Sequence, residues 1–372
     1  MMKRLGQRHV RYLIRSSLVL LLLLTSPCFG ATQDLPTLGL PALPAATDNP
    51  LSARQISLGK TLFQDKRLSA DGTVSCASCH QPGQAFADGL ALARGVGRRL
   101  GTRNTPSIIN AAFLATQFWD GRRDTLEAQV QDPLLNPTEH GLRNAAQLVD
   151  IVRRDPHYRT RFRQAFGRAN GSITVENVAR AIAAFERTLI AGDSPFDRHA
   201  YGHDQAALSE AAGRGLTLFR GRAKCESCHQ IGPTSAMLTD NRFHSLGVGF
   251  KKIEPRLAEM TLALARSGGH NIDHAILSQA DIAELGRFVV THDPADIGRF
   301  KTPSLRNVAL TAPYMHDGSV ATLAEAVDLE VYYRGIAANR PLVLTPQEKA
   351  DLVEFLKALT SARTAELGGL RH

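Results

Sequence analysis

Apolar residues recur at three- and four-residue intervals along much of this chain. From Thr174 to Ile190, the residues Val175, Val178, Ile182, Phe185 and Leu189 fall on one face of a helix. Thr345-Pro346-Gln347-Glu348 is a capping box with proline at the first helical position, and the helix it starts carries Leu352, Phe355, Leu356 and Leu359 on one face. Sustained period-two alternation bounded by hairpin turns is missing. The pattern therefore predicts a mainly α protein. The N-terminus departs from it. The apolar block Leu18 to Leu24 lies inside an uncharged run, Ser16 to Gly30, preceded by Lys3, Arg4, Arg8, Arg11 and Arg15. That run is shorter than the roughly 20 residues a spanning helix needs. It reads as a signal peptide over residues 1–30, cleaved after Gly30, with export to the periplasm; an uncleaved membrane anchor is the alternative. Residues 31–50 contain Pro36, Pro41, Pro44 and Pro50 and read as a tether or wrapping arm.

The chain also repeats itself. Thr105-Pro106-Ser107-Ile108-Ile109-Asn110 matches Thr302-Pro303-Ser304-Leu305-Arg306-Asn307. Trp119-Asp120-Gly121 matches His316-Asp317-Gly318, and Thr125-Leu126 matches Thr322-Leu323, all at an offset of 197 with no gap. Upstream, Gly59-Lys-Thr-Leu-Phe63 echoes Gly215-Leu-Thr-Leu-Phe219. The repeat predicts two domains of one design, residues 51–203 and 204–372. It also marks where the halves differ, since Trp119 stands opposite His316 and Gln129 opposite Ala326.

Charge changes the picture little. Residues 1–30 hold five cations and no acid, so without them the formal net charge of 372 residues falls from +9 to +4. No basic run with interleaved aromatics supports nucleic-acid binding. Cysteine changes it a great deal. Outside the leader, which contains Cys28, every cysteine lies in one of two pentapeptides, Cys76-Ala-Ser-Cys79-His80 and Cys225-Glu-Ser-Cys228-His229. Cys-x-x-Cys-His is the attachment site of c-type haem. The spacing puts both sulfurs on one helical turn for thioether bonds, and the adjacent histidine is placed to ligate iron. Two redox dithiols or a Cys₄ zinc site are the bland readings of the same residues. Two covalent haems mean electron transfer or redox catalysis. The two motifs are offset by only 149, so the second half has 48 extra residues between motif and repeat.

With these residues in view, the chain resembles the bacterial dihaem cytochrome c peroxidase superfamily over roughly residues 51–360. Phe118-Trp119-Asp120-Gly121-Arg122 looks like the family's inter-haem tryptophan segment. Leu305-Arg306-Asn307-Val308 with Ala312-Pro313-Tyr314-Met315-His316-Asp317-Gly318 looks like its second-domain signature. The resemblance implies two cytochrome c-like domains, with His80 and His229 as proximal ligands and Trp119 as an electron relay. Gln129 and Glu139 would serve peroxide on the open face of the first haem. By itself, a glutamate in Asn-Pro-Thr-Glu-His-Gly reads as a loop or cap residue; the resemblance supplies the acid–base reading. Asn104, Thr311 and Pro313 would hold a calcium ion, the last two through backbone carbonyls.

Two departures matter. Where the typical peroxidase has a histidine that caps the first haem, alignment on Arg103-Asn104-Thr105-Pro106 places Val96, so the first haem is expected to be open. The typical methionine ligand of the second haem is also missing. Counting from His316 lands on Glu330; counting back from Arg334-Gly335 lands on Tyr332, as in the tyrosine-ligated branch that matures the tryptophylquinone of methylamine dehydrogenase. Tyr332 is the expected ligand, with Glu330, Tyr333 and Met315 as alternatives. Met237, Met260, His244 and His316 are weaker candidates, and the histidines at 270, 274 and 292 read as loop residues. The function expected is hydrogen-peroxide reduction with electrons from a small cytochrome c or copper protein. The alternative is oxidation of a tryptophan or tyrosine on a partner protein. A dihaem electron carrier is a third class, disfavoured by Val96.

Overall fold

The computed structural model describes residues 37–170, 172–266, 279–337, 339 and 341–369. The leader, Cys28 and the histidines at 270 and 274 lie outside these residues. Among the described residues, strands are limited to Phe243–His244 paired antiparallel with Phe300–Lys301, and helices dominate the rest. The mainly α expectation holds. No described helix is long and apolar enough to cross a membrane.

Two helix crossings build the two large cores, and they are copies of one another. In the first half, Ser52 caps the Ala53–Gln64 helix and Thr174 caps the Val175–Glu186 helix. They cross at Gly59, where an added Cβ would lie 1.8 Å from the Ala181 carbonyl oxygen. In the second half, the Glu210–Arg220 helix crosses the Pro346–Lys357 helix at Gly215, where a Cβ would lie 2.0 Å from the Asp351 carbonyl oxygen. Beyond each glycine an edge-on aromatic pair locks the crossing, Phe63 on Phe185 at 5.2 Å and Phe219 on Phe355 at 5.0 Å, both inclined at 60°. The echo read at Gly59–Phe63 and Gly215–Phe219 thus has a steric cause: only glycine lets the two backbones approach this closely. Leu58, Leu62, Val178, Ile182 and Leu189 fill the first core; Leu216, Leu352, Leu356 and Leu359 fill the second. Leu367, near the C-terminus, returns to the first core, whereas Phe196 already belongs to the second.

The asparagines that end the repeated hexapeptide tie each half together. Asn110 and Asn307 both have positive φ, 63° and 60°. The Asn110 amide exchanges hydrogen bonds with the backbone of Ala191, and Asn307 Oδ1 accepts from Ser361 N and Thr364 Oγ1. Residues 37–50 wrap the molecule. Gly39 lies against Asp197, Arg306 donates to its carbonyl, and Asn49 donates to Glu127 and to the Arg180 carbonyl. Arg306 and Asp197 form a bidentate ion pair at 2.8 and 2.9 Å with almost no solvent exposure.

The extra residues of the second half form a small core of their own, around Ile253, Met260, Leu264, Leu285, Phe288 and Val289. This insert reaches the other half. Arg287 Nη1 donates to the Asp120 and Gly121 carbonyls at 2.9 and 2.7 Å, and the Ala283 carbonyl accepts from Arg103 at 2.7 Å.

Candidate functional site

A single cavity is lined by both halves of the repeat, and it receives Cys79, His80, Trp119, Gln129 and Glu139 from one and Cys225, Cys228, His229, His316 and Glu330 from the other. Its walls carry apolar side chains such as Ile108, Leu126, Phe219, Val327, Leu352 and Leu356.

Both motif histidines are held in the same way. His80 Nδ1 donates to the Phe86 carbonyl at 3.0 Å, and His229 Nδ1 donates to the Leu238 carbonyl at 2.9 Å. Each bond fixes the tautomer and leaves Nε2 as the ring's donor atom, the arrangement that metal-ligating histidines use. Burial keeps both rings neutral, pushing His80 below its usual range and His229 down to about 4. The carbonyls are themselves positioned. Phe86 and Leu238 have positive φ, 58° and 55°. The residue before each is clamped by the repeat's serine: Ser107 Oγ donates to the Ala85 carbonyl at 2.6 Å, and Ser304 Oγ to the Met237 carbonyl at 2.7 Å. The Thr-Pro-Ser-x-x-Asn repeat is therefore the frame that aims the two histidines.

Burial raises the Cys79 thiol to about 12 and the Cys225 thiol to about 11. Reactive dithiols need the opposite shift. Among the described residues, the groupings able to hold a metal are Cys228 with Asp240 and His244, and Glu284 with His316 and Asp317; neither is a Cys₄ set. In the second grouping, Lys252 Nζ already lies 2.8 Å from Asp317 and 3.4 Å from Glu284. Two oriented neutral histidines on an apolar cavity, each following a cysteine pair, with Cys79, Cys225 and Cys228 on the wall, fit two covalently attached haems.

On the first half, Glu139 is placed by a tight turn. Thr138 N donates to Asn136 Oδ1, Glu139 N to the Asn136 carbonyl, and Gly141 follows with φ 71°. Burial raises the Glu139 carboxyl above the usual range, opposed by the positive charge of Arg122. Val96 is buried but does not line the cavity; its backbone N–H donates to the Glu139 carbonyl at 2.9 Å. His140 is turned away, with Nδ1 on the Leu68 carbonyl at 2.7 Å. Two cavity residues escaped the sequence reading. Arg122, buried against Asp120 and Asp132 and lying 3.4 Å over the Phe118 ring, brings a cation beside Glu139. Glu186, fully buried, is pushed up to about 8. Arg122 could have been found from the Phe118–Arg122 segment; Glu186 sits in a helical apolar pattern that gave no sign of it.

Between the halves, Trp119 Nε1 donates to the Asn104 carbonyl at 3.0 Å, and Asn104 N donates to the His316 carbonyl at 2.8 Å. His316 stacks on Phe300 at 3.6 Å and hydrogen-bonds Glu284 at 2.7 Å. Asn104, Thr311 and Pro313 line this cavity together.

The second half corrects one expectation. Tyr332 does not reach the cavity: it is 63% exposed, with its ring edge-on to Tyr333. Along the Leu323–Ala337 helix, the lining positions are Leu323, Ala326, Val327, Glu330, Val331 and Arg334. Tyr332, two residues past Glu330, is rotated about 200° around the axis, to the outer face. Tyr333 does not line the cavity either, though its ring lies near Gly247. Met315, His244 and His316 do line it; Met260 belongs to the insert core and Met237 is not on the wall.

Known proteins share this arrangement. A family model described as di-haem cytochrome c peroxidase matches residues 53–205. Cytochrome-c peroxidase IdrP1 of Denitromonas iodatirespirans is 37% identical over 95% of this chain and 94% of its own. Methylamine utilization protein MauG of Methylorubrum extorquens is 35% identical over 87% of this chain and 83% of its own. A crystal structure of a MauG-like protein associated with microbial copper homeostasis is 35% identical, with a TM-score of 0.71, and covers 89% of this chain and 96% of that one. With relatives of this similarity along nearly its whole length, the chain belongs to the di-haem cytochrome c peroxidase family and is an oxidoreductase with two c-type haems.

Proposed function

We propose that this enzyme reduces hydrogen peroxide in its first half, residues 51–203, and receives the electrons through its second, residues 204–372. Cys76, Cys79 and His80 would hold the haem that supplies the redox chemistry of the first site, and Cys225, Cys228 and His229 would hold the second. One observation carries the division of labour. Repeat positions that should be alike carry different chemistry, with Gln129 against Ala326 and Trp119 against His316, and the Glu139 and Arg122 of the cavity wall both come from the first half.

Cleaving the O–O bond of hydrogen peroxide requires a proton to pass from one oxygen to the departing one. Glu139 accepts it and returns it, acting as base and then as acid. The Gln129 amide orients the peroxide, and the Arg122 cation offsets developing negative charge. Val96, with no donor atom in its side chain, could not cap a haem held by His80. Trp119 passes electrons between the sites. The Asn104 amide oxygen with the Thr311 and Pro313 carbonyls offers hard oxygen ligands for one calcium ion at the junction of the halves. The basic and apolar leader supports export to the periplasm. A small cytochrome c or copper protein fits as donor. Oxidation of a residue on a partner protein is the second reading; the 37% identity to a cytochrome-c peroxidase and the 35% identity to MauG are compatible with both.

Replacing Trp119 tests the route. Trp119→Phe should keep both haems and the first reaction with peroxide, while oxidation of the second haem, followed by stopped-flow absorption, slows. An unchanged rate would take Trp119 out of the path.

A further inference from the structure

Aligning the halves at their offset of 197 sets the Leu126–Leu135 helix on the start of the Leu323–Ala337 helix. The cavity-lining residues then pair off: Leu126 with Leu323, Gln129 with Ala326, and Pro133 with Glu330. The outward residues pair as well, Leu135 at 40% exposure with Tyr332 at 63%. One helix face therefore looks into the cavity in both halves. At its fourth-residue step the first half presents a proline, whose side chain cannot bind a metal, and the second presents a carboxylate.

Glu330 is not consumed by the protein around it. Its Oε2 is buried and accepts no hydrogen bond, and the nearest cation, Arg334 Nη2, stands 3.4 Å away. Arg334 is anchored to the haem-attachment segment, donating from Nη1 to the Lys224 carbonyl at 2.9 Å and to Ser227 Oγ at 3.3 Å. The face carrying Glu330 is thus tied to the segment containing Cys225 and Cys228. A buried carboxylate with so weak a pairing is costly unless a further positive centre meets it. Of the imidazoles on this wall, His244 Nε2 is bound to Asp240 at 2.8 Å, and His316 Nε2 to Glu284; the Met315 sulfur, in the segment just before His316, is the rival donor that the test must exclude.

We propose that a Glu330 carboxylate oxygen is the second axial ligand of the His229-bound iron, with Arg334 as its positioning residue. This rests on the reading that His229 holds the second haem. An anionic oxygen donor suits ferric iron, and it holds the reduction potential below that of a histidine–methionine pair.

The test uses the full-length holoprotein, with covalent haem counted by mass spectrometry, and the ferric absorption and electron paramagnetic resonance spectra and the reduction potential of each haem recorded. Glu330→Gln should change the signal of one haem of the two. Glu330→Met should turn that haem low-spin, bring in the near-infrared sulfur-to-iron band and raise its potential. Tyr332→Phe should leave both haems as they were. The proposal is overturned if Glu330→Gln, carrying two haems, keeps the wild-type spectra and potentials, or if Tyr332→Phe alters the second haem. Wild-type protein with a single covalent haem would overturn the two-haem reading beneath it, a result the haem count tells apart from the others.

Discussion

Glu139→Gln is expected to slow peroxide bond cleavage by roughly 10²–10⁴-fold, the usual worth of a positioned acid–base group. The substitution keeps the shape of the side chain and removes its ability to carry a proton. Peroxide should still reach the iron, so single-turnover mixing should separate binding from cleavage. The pH dependence has a defined sign. Glu139 must be ionised to accept the first proton, and burial raises its pKa. Cleavage should therefore gain speed with rising pH through a limb displaced above the ordinary carboxylate range, and Glu139→Gln should erase that limb. A loss smaller than about tenfold would move the role elsewhere. His140 is not the next candidate, because its ring is bound to the Leu68 carbonyl away from the cavity; Arg122 and Glu186 are.

Removing the first attachment site should abolish peroxide chemistry altogether. A Cys76→Ala, Cys79→Ala variant should retain one haem, at His229, and fail to turn over peroxide. A Cys225→Ala, Cys228→Ala variant should keep a haem that reacts with peroxide once and then turns over poorly, for want of the electron entry site. Haem stoichiometry and steady-state peroxide consumption check both. Equal turnover in the two variants would contradict the assignment of separate tasks to the two halves.

Much of this was legible before any coordinates. Helical periodicity gave the class, and the pentapeptides with the 197-residue repeat gave the two haem sites and the family. The repeat's cause was not legible. Nothing in Thr-Pro-Ser-x-x-Asn says that the serine clamps the carbonyl before the one that orients the histidine. Nor does a shared Gly-x-Thr-Leu-Phe say that the glycine admits a carbonyl of the crossing helix. Tyr332 went astray for a specific reason. Counting back from Arg334-Gly335 and counting forward from His316 differ by two residues, and two residues on a helix reverse the face. The repeat could have decided it, since Leu135 and Pro133 are the counterparts of Tyr332 and Glu330. Arg122 and Glu186 went unremarked because a buried charge is defined by what surrounds it.

If Glu330 rather than tyrosine or methionine meets the second iron, the potential of that haem becomes the quantity that separates the two functional readings. A low value disfavours electron entry from a high-potential cytochrome c and favours oxidation of a partner's side chain; a high value does the reverse.

In the proposed function the first haem is open and reactive while the second is closed. Mixing the fully ferric protein, never reduced beforehand, with cyanide and separately with peroxide tests it most directly. An immediate spectral change in half of the haem is expected, lost in the Cys76→Ala, Cys79→Ala variant and kept in the Cys225→Ala, Cys228→Ala variant. A lag that disappears only after pre-reduction, or a change in the haem held by His229, would contradict it.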